Sequence, residues 1–456
     1  MLKRRRFLQA GSASLIAEMS GLLPTVISAS AHGANTSGYR AMVCVFLFGG
    51  MDNHDTVIPF DTENYGSWER IRASLLSVQG GSRARDSLRQ LAPAEDGFGG
   101  RQFALPPELN GLHGLFQSGQ AAIVGNVGPL LQPTDASSFN AQTVRLPSRL
   151  FSHNDQQATW MSGAPEGARF GWAGLFADIM QRAGANVENT FAAITTGGAD
   201  LLITGQQTTP YQVVGDTAVE PCILEDLSNP VLAMMTRHLR AQGFSGSSLL
   251  ARDMATRSRQ AIDANRRYNQ SASAVGAGPG EFPASGLGQQ LQAVATAISA
   301  RDSLGVNRQI FTVGLGGFDT HSNQAKELPM LQQELDAAIV AFQASMQGMG
   351  LNEQVVLFTT SDFGRTLAIN GDGTDHGWGG HHFVVGGGVR GQRIFGGLPP
   401  STLGHSRDAG SGRLVPDVSV EQFAAPLGRW FGLDNAEIQA TFPNLGAFDG
   451  ELALFA

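Results

Sequence analysis

The sequence predicts an α/β fold: a doubly wound, mostly parallel sheet with helices on both faces. Three observations favour it, namely continuous apolar runs, one long amphipathic segment between two of them, and Asp and His residues directly after several runs. In an open α/β sheet the loops at the carboxyl ends of the strands converge on one crevice. Residues that are far apart in the sequence are therefore expected to meet there.

Apolar runs supply the predicted strands. The run at residues 41–48 ends in two glycines and has the pattern of a strand that is covered on both faces. The run at residues 382–385 is predicted to be an edge strand. Between them in the sequence, four further runs are predicted to be strands: 120–127, 191–195, 309–315 and 354–359.

A long helix is predicted between the runs at 309–315 and 354–359. Leu, Ile, Phe and Met residues recur there at steps of three and four from Leu328 to Met346, and Gly348 closes the segment. A strand, a helix and a second strand in succession imply a right-handed parallel crossover.

The remaining segments are less regular. Residues 200–222 are polar with scattered apolar positions, and we expect a hairpin or a cap over the sheet there. Residues 268–288 are rich in Gly, Ala, Ser and Pro, which is typical of a surface connection. The sequence therefore predicts one domain over residues 32–456, with an inserted cap region around residues 196–290.

The first 31 residues have the pattern of an export signal. Two arginines, one further residue and then Phe7 and Leu8 resemble a twin-arginine signal, and a small-residue cleavage pattern ends at Ala31. An ordinary secretory signal and a short uncleaved anchor are the alternatives. We expect the twin-arginine export machinery as a partner, a periplasmic or secreted location, and no transmembrane segment in the mature protein.

Composition excludes one class of partner. The chain has 456 residues, of which 42% are hydrophobic and 15% charged, as in a globular protein. The formal net charge is −8, and no long basic run follows the first few residues. Nucleic acid is not expected as a partner, because phosphate backbones bind to concentrated Lys and Arg faces.

A metal site is the main chemical prediction. Residues that follow predicted strands offer the carboxylate oxygens and imidazole nitrogens that divalent ions bind: Asp52, Asp319, His321, Asp362 and His376. Glycines and other small residues before them leave room for an ion and its substrate. For a single Asp after a strand, Asp362 in particular, the alternative is a helix N-cap. The predicted ion is Zn, Mg, Mn or Ca.

Ser152 is the candidate nucleophile. It stands before a predicted helix whose N-terminus would stabilise charge near the hydroxyl, although Ser followed by Asp three residues later is also an ordinary capping arrangement. His153 or Asp155 could instead complete the metal site, and an activated water would then attack. Of the adjacent His381 and His382, only one is expected to face the site.

The chain resembles a bacterial family known as domain of unknown function 1501, DUF1501. The resemblance rests on the twin-arginine start and on the segments GGMDNHDTVIP, SHNDQQ, LGGFDTH, TTSDFGRT and GTDHGWGGHHFVVGGGV, which span nearly the whole mature chain. That family is grouped with the alkaline phosphatase and sulfatase superfamily. The grouping implies an alkaline phosphatase-like core, a site with one or two metal ions, and hydrolysis or transfer of phosphate or sulfate esters.

The resemblance also implies roles for single residues. Ser152 falls in the order of the nucleophile, and the implied metal ligands are Asp52, Asp319, His321, Asp362 and His376. Phe363 stands where the superfamily has the His of an Asp-His pair, which implies either one metal or a second site rebuilt from Asp375, His382 or His153.

Arg365 is the implied partner of the substrate anion. Its planar guanidinium can bind two oxygens of phosphate or sulfate, and a surface arginine at a helix start is the alternative.

Three functional hypotheses remain open. The first is an exported metal-dependent hydrolase acting on phosphate or sulfate esters of a small molecule or a glycan. The second is a non-catalytic exported binding or assembly protein that keeps the fold and one structural ion. The third is a metal-dependent enzyme that acts on another bond, such as an isomerase or a transferase working on an exported glycan.

Overall fold

The computed structural model describes residues 33–215, 217–218, 230–231, 233–234, 249–276, 278 and 280–455. These residues form an α/β fold with a mostly parallel central sheet, which confirms the predicted fold class. Residues Ala34–Ala456 group into one compact unit. The predicted export signal lies outside the described residues.

All six predicted strands are present. In chain order the strands are β1 (Arg40–Leu47), β2 (Ile58–Pro59), β3 (Arg89–Gln90), β4 (Phe103–Leu105), β5 (Ala121–Gly128), β6 (Ala193–Thr195), β7 (Tyr211–Val214), β8 (Thr217–Ala218), β9 (Arg308–Leu315), β10 (Val355–Ser361), β11 (Arg365–Asn370), β12 (Gly373–His376), β13 (Gly380–Gly386), β14 (Ile394–Gly396) and β15 (Val418–Ser419).

Helices alternate with these strands. They are α1 (Thr62–Ile71), α2 (Ala73–Gln79), α3 (Asn110–Gln117), α4 (Ala136–Asn140), α5 (His153–Ser162), α6 (Trp172–Arg182), α7 (Leu249–Val275), α8 (Gly286–Ser299), α9 (Arg301–Leu304), α10 (Gln324–Gly348), α11 (Val420–Phe431) and α12 (Asn435–Thr441). Short 3-10 turns include Asn53–Asp55, Arg85–Ser87, Pro107–Leu109, Asp200–Ile203 and Leu445–Ala447. Among the described helices, none has both the length and the apolar character needed to cross a membrane.

The central sheet has the strand order β14-β5-β13-β10-β1-β9-β6-β7-β8, and β15 also pairs with β5. β1 pairs in parallel with β10 on one side and with β9 on the other. The carboxyl ends of these three strands therefore lie side by side. The loops that follow them carry Asp52, Asp319 and Asp362.

β9, α10 and β10 form the predicted parallel crossover, with β1 between the two strands. Leu328, Leu335, Ile339 and Met346 are buried on α10, whereas Leu331 is only partly buried. The spacing of three and four thus identified the face of the helix that packs on the sheet.

The strand predicted at an edge is an interior strand. β13 runs antiparallel between β10 and β5, and every one of its residues is buried. The chain reaches β13 from β10 through the antiparallel pair β11 and β12, without a crossover helix. A connection of this kind returns the chain in the opposite direction, so β13 is antiparallel in an otherwise mostly parallel region.

Both faces of the sheet are covered. On β1, Val43 and Val45 pack into a core with residues of α3, α8 and α10, whereas Met42 and Phe46 pack into a second core with residues of α6 and α11. Neighbouring side chains of a strand point to opposite faces, so a continuous apolar run is needed to fill both cores.

The predicted surface connection at residues 268–288 is wrong in its first part. Helix α7 continues to Val275, and Tyr268 and Ala272, one turn apart, pack against the core that contains Phe191. Burial of these two side chains outweighs the low helix propensity of the neighbouring polar residues. The hairpin expected within residues 200–222 is present as β7 and β8, but much of the predicted cap lies outside the described residues and stays a prediction.

Candidate metal centre

Three loops interlock where β1, β9 and β10 end. Gly49 and Gly50 follow β1 with φ angles of 112° and 92°. A Cβ atom on Gly49 would lie 2.3 Å from the backbone nitrogen of Asp319, and one on Gly50 would lie 2.6 Å from the ring of Phe363. Side chains at these glycines would push the loops apart, so the glycines permit the close approach.

The carboxylate of Asp319 lies at the centre of a group of imidazoles. The Nε2 atoms of His321 and His376 are 3.0 and 3.2 Å from its Oδ1, and Nε2 of His153 is 3.4 Å from its Oδ2. The Nε2 atoms of His321 and His376 are 2.9 Å apart. The loop after β9, the start of α5 and the end of β12 together supply this cluster, which we call the Asp319 cluster.

Each imidazole of the Asp319 cluster has a polar partner at its Nδ1 atom. Nδ1 of His153 lies 2.5 Å from Oδ2 of the buried Asp362, and Nδ1 of His376 lies 2.8 Å from the carbonyl oxygen of Phe151. Nδ1 of His321 is 3.5 Å from Oδ1 of Asp375. A neutral imidazole that donates through Nδ1 offers the lone pair of Nε2, which is how such partners orient histidines toward metal ions.

The charges of the site follow from these contacts. The hydrogen bond to Asp362 raises the pKa of His153, against the effect of burial, whereas burial lowers the pKa of His376. Burial by itself would raise the pKa of Asp319, but the hydrogen bond and the charge of Arg365 outweigh burial and hold this pKa below its usual value. Asp319 is therefore an anion at neutral pH.

The donor set fits a divalent metal ion. The ligand atoms of His153, Asp319 and His376 all lie within 4.8 Å of one another. Nε2 of His153 is buried without a hydrogen-bond partner among the described residues. With metal–nitrogen distances of about 2.0–2.1 Å, neighbouring donors of a tetrahedral zinc site are about 3.3 Å apart, close to the spacing seen in the cluster.

Asp52 lies outside the Asp319 cluster, and its carboxylate is already fully bound. Its Oδ2 accepts from Arg72 and from Gln324, both at 2.5 Å, and its Oδ1 accepts from Arg72 at 3.2 Å and from the backbone nitrogen of His54 at 3.0 Å. Burial would raise the pKa of Asp52, but the charge of Arg72 holds it below its usual value. In the structure Asp52 thus forms a buried ion pair with Arg72.

The side chain of Arg365 is buried, not at the surface, and it donates hydrogen bonds to three neighbouring residues. Its NH1 group donates to Asp319 Oδ1 at 2.8 Å and to the carbonyl oxygen of Gly49 at 3.0 Å, and its other nitrogens donate to the hydroxyl and carbonyl oxygens of Thr374. Each guanidinium nitrogen thus has a protein acceptor, so the planar fork is not open to two oxygens of a substrate.

Ser152 and His382 have partners other than the Asp319 cluster. The hydroxyl of Ser152 donates to Oδ2 of Asp155 at 2.8 Å, within the first turn of α5. His382 is buried between Trp160 and Phe423, with its ring centroid 4.9 Å from that of Trp160. His381 accepts from the backbone nitrogen of Asn126, so neither of the adjacent histidines makes a contact with the Asp319 cluster.

His153 is harder to recognise as a ligand from the sequence. It was only an alternative ligand, because nothing in the sequence shows that the start of α5 lies over the loops of β9 and β10. Arg149 and Phe151, with φ of 50° and 72°, hold the segment in a left-handed conformation that residues other than glycine rarely adopt. From this segment the carbonyl oxygen of Phe151 contacts His376 and the ring of His153 contacts Asp319.

The Asp319 cluster opens to solvent. The side chains of Asp319 and His321 are both 45% exposed. A cavity of about 840 Å³ lies elsewhere, beside β7 and α7, and is lined by residues such as Gln181, Tyr211 and Arg257. Large substrates could therefore reach the cluster without entering a deep pocket.

Comparisons with known proteins identify one family. The model of the family described as "Protein of unknown function (DUF1501)" matches residues 39–444. A search of curated proteins found no match.

Several solved structures are similar to this chain at low identity. The C-terminal periplasmic domain of EcEptC from Escherichia coli, in complex with Zn, is 8% identical with a TM-score of 0.32, covering 77% of this chain and 74% of that one. Ps i-CgsB, in complex with k-i-k-neocarrahexaose, is 9% identical with a TM-score of 0.35, covering 91% and 75%. Phosphonate monoester hydrolase SpPMH from Silicibacter pomeroyi is 10% identical with a TM-score of 0.31, covering 72% and 69%. These values are too low to carry a function from those proteins to this chain.

Proposed function

This chain belongs to the DUF1501 family, and we propose that it is an exported, metal-dependent hydrolase of phosphate or sulfate esters. One observation carries the proposal: two imidazoles and a carboxylate, from His153, His376 and Asp319, converge through atoms that ligate metals. Both imidazoles are oriented by acceptors at Nδ1, as in metal sites.

His153, Asp319 and His376 are the proposed ligands. Two nitrogens and one oxygen suit zinc best among the expected ions, since magnesium and calcium favour oxygen ligands. Three protein ligands leave a position open for substrate. A divalent ion bound there would supply Lewis acidity to the ester oxygens.

His321 is the proposed group for proton transfer. It is outside the group of three ligands, and its Nε2 faces the same carboxylate while its Nδ1 lies 3.5 Å from Asp375. A hydrogen bond from Asn370 lowers the pKa of Asp375, so an ionised carboxylate lies beside His321. Such a pair can take a proton from an attacking water or give one to a leaving group.

Water is the proposed nucleophile. The Ser152 hydroxyl donates to the carboxylate of Asp155 in the first turn of α5, which favours water over a covalent mechanism through Ser152. Arg365 holds Asp319 in place and acts through it.

A non-catalytic binding protein is the second candidate. The buried Asp52–Arg72 pair favours it, because a carboxylate that the resemblance implies as a ligand is neutralised by an arginine instead. Such a protein would keep the ion of the Asp319 cluster as a structural element.

Metal analysis with ester assays tests the proposal. Residues 32–456 are stripped with a chelator, reconstituted with Zn, Mg, Mn or Ca, and assayed on phosphate monoesters, phosphate diesters and sulfated glycans. We expect about one ion per chain and a loss of turnover of about a hundredfold or more in Asp319→Asn. Asp253→Asn, an exposed change on α7, is the matched control.

The outcomes separate the candidates. Metal binding without turnover on any ester would favour the binding protein, and turnover on a glycan without release of phosphate or sulfate would favour an isomerase or transferase. Failure to retain any divalent ion would refute the metal centre.

Export is tested separately. Residues 1–31 are fused to a folded reporter, and the reporter is expected in the periplasm. Replacing Arg4 and Arg5 with lysine should block export if the signal is of the twin-arginine type. Unchanged export by the doubly substituted signal would favour an ordinary secretory signal.

A further inference from the structure

Arg413 is an arginine at the rim of the Asp319 cluster with part of its guanidinium free. Its Nε donates to the carbonyl oxygen of His376 at 2.8 Å, and its NH1 donates to the carbonyl oxygen of Gly410 at 3.2 Å. The guanidinium lies over the ring of Phe151, 5.4 Å from the ring centroid. Its NH2 group donates no hydrogen bond within the described part of the chain.

The loop that carries Arg413 is rigidly built. One carboxylate oxygen of Asp408 accepts from the backbone nitrogens of Gly410 and Gly412, at 2.7 and 2.8 Å, and the other accepts from Gly404 at 2.7 Å. The loop is further closed by a bridge between Asp408 and Leu414. Arg413 is therefore held in one orientation, which reduces the entropy lost when it binds an anion.

Arg413 contacts two residues of the metal centre, His376 and Phe151. It binds the backbone of His376, a proposed ligand, and it stacks on Phe151, whose carbonyl accepts from the same histidine. Arg413 interacts electrostatically with Asp375. The carboxylate of Asp375 also accepts a hydrogen bond from Asn370 and lies 3.5 Å from Nδ1 of His321. Arg413 thus remains available to a second anion.

We infer that Arg413 is the anion-binding residue of this centre, with its free NH2 edge receiving the non-reacting oxygens of a phosphate or sulfate group. The inference rests on the proposed function for the identity of the anion. It assigns to Arg413 the role that the sequence implied for Arg365, whose nitrogens are occupied by Asp319, Gly49 and Thr374. A charged, oriented guanidinium makes strong hydrogen bonds to such oxygens.

The test compares Arg413→Gln and Arg413→Lys with Arg169→Gln. Arg169 is the matched control because it is exposed and its guanidinium also lies over a phenylalanine ring, 5.6 Å from the ring centroid of Phe170. Four quantities are measured on zinc-loaded protein: KM and kcat for the best ester substrate, the affinity for inorganic phosphate by calorimetry, and the zinc content. We expect both Arg413 variants to bind phosphate about tenfold or more weakly, with a matching rise in KM and full zinc content.

Asp408→Ala adds a second variant that leaves Arg413 itself unchanged. Loosening the loop should also weaken phosphate binding, with zinc content retained, because Arg413 would lose its fixed orientation. Unchanged phosphate affinity in Arg413→Gln overturns the inference, and so does loss of zinc, which would show that Arg413 only positions His376.

Failure of the proposed function is distinguishable from failure of this inference. Phosphate binding that depends on Arg413, without turnover of any ester, would refute the hydrolase and keep the anion site. Turnover that is indifferent to Arg413→Gln would keep the hydrolase and refute the anion site. A wild type that neither binds phosphate nor turns over esters refutes both.

Discussion

The ring of Phe363 packs against the ring of His153, with 4.8 Å between their centroids. It packs equally closely against His376, at 4.6 Å. The resemblance noted in the sequence implies a histidine ligand at this position, whereas here Phe363 contacts the rings of two proposed ligands. His153, at the start of α5, brings an imidazole to the Asp319 cluster.

Asp362→Asn is expected to weaken metal binding. The carboxylate accepts from His153 and from Gln157 at Oδ2 and from the backbone of Gly49 at Oδ1, and no other charged group pairs with it in the described part of the chain. An amide at this position would make His153 a poorer ligand, and outer-shell changes of this kind cost about 10–100-fold in affinity. Competition with a zinc chelator measures the change, with Asp253→Asn as control. Unaltered affinity would mean that His153 is not a ligand.

His321→Gln distinguishes a ligand from a proton donor. If His321 transfers protons, the variant keeps its zinc while kcat falls by about a hundredfold or more, and the fall is smaller for substrates with good leaving groups. If His321 is a fourth ligand, zinc affinity falls instead. Parallel titration of zinc and measurement of kcat decide between the two roles.

Ser152→Ala is expected to preserve turnover. The hydroxyl donates to the carboxylate of Asp155, so its loss should lower the free energy of unfolding by about 1 kcal/mol, the net contribution of one hydrogen bond. Urea denaturation measures the stability, and steady-state assays measure turnover. A loss of a thousandfold or more in kcat, with a normal fold, would restore Ser152 as the nucleophile.

Asp52→Asn is expected to damage the fold while leaving the metal content unchanged. It leaves the buried guanidinium of Arg72 without its counter-charge, and breaking a buried pair costs about 3–5 kcal/mol. The double variant Asp52→Asn/Arg72→Met should recover part of that loss in urea denaturation. If zinc content falls in the double variant, Asp52 belongs to the metal site.

His382→Phe is expected to make the protein more resistant to acid. Burial lowers the pKa of His382 from 6.5 to about 3, so below pH 6.5 the unfolded chain binds a proton that the native state does not. The free energy of unfolding therefore falls by about 1.4 kcal/mol for each pH unit between about pH 6.5 and pH 3. This loss is absent in the variant.

Urea denaturation at pH 7 and at pH 4.5 measures this effect. The gap between the two stabilities should shrink by about 2–3 kcal/mol in His382→Phe. His113→Gln, a change near the surface on α3, should leave the gap as it is. Loss of zinc in His382→Phe would instead connect this histidine to the metal centre.

Much of the fold could be predicted because strands and helices that are buried in the core have characteristic local patterns of apolar residues. A strand such as β1 must be apolar throughout, and a helix such as α10 must be apolar at every third or fourth position. The predictions were wrong where contacts between distant segments determine the structure. The interior position of β13 depends on its pairing with β5, far away in the chain. The extension of α7 depends on the contact of Tyr268 with Phe191.

The fold class and the chemical groups at the strand ends could be predicted from the sequence, since both depend on local residue patterns. The sequence also predicts Asp319, His321 and His376 as neighbours, and their side chains lie 2.9–3.2 Å apart. How those groups are used depends on contacts that only the folded chain makes. Hydrogen bonds and ion pairs across the fold commit Asp52 to Arg72 and Arg365 to Asp319, while leaving Nε2 of His153 without a hydrogen-bond partner among the described residues. Local sequence carries no record of such pairings, because each one is set by the distance between atoms that the fold brings together.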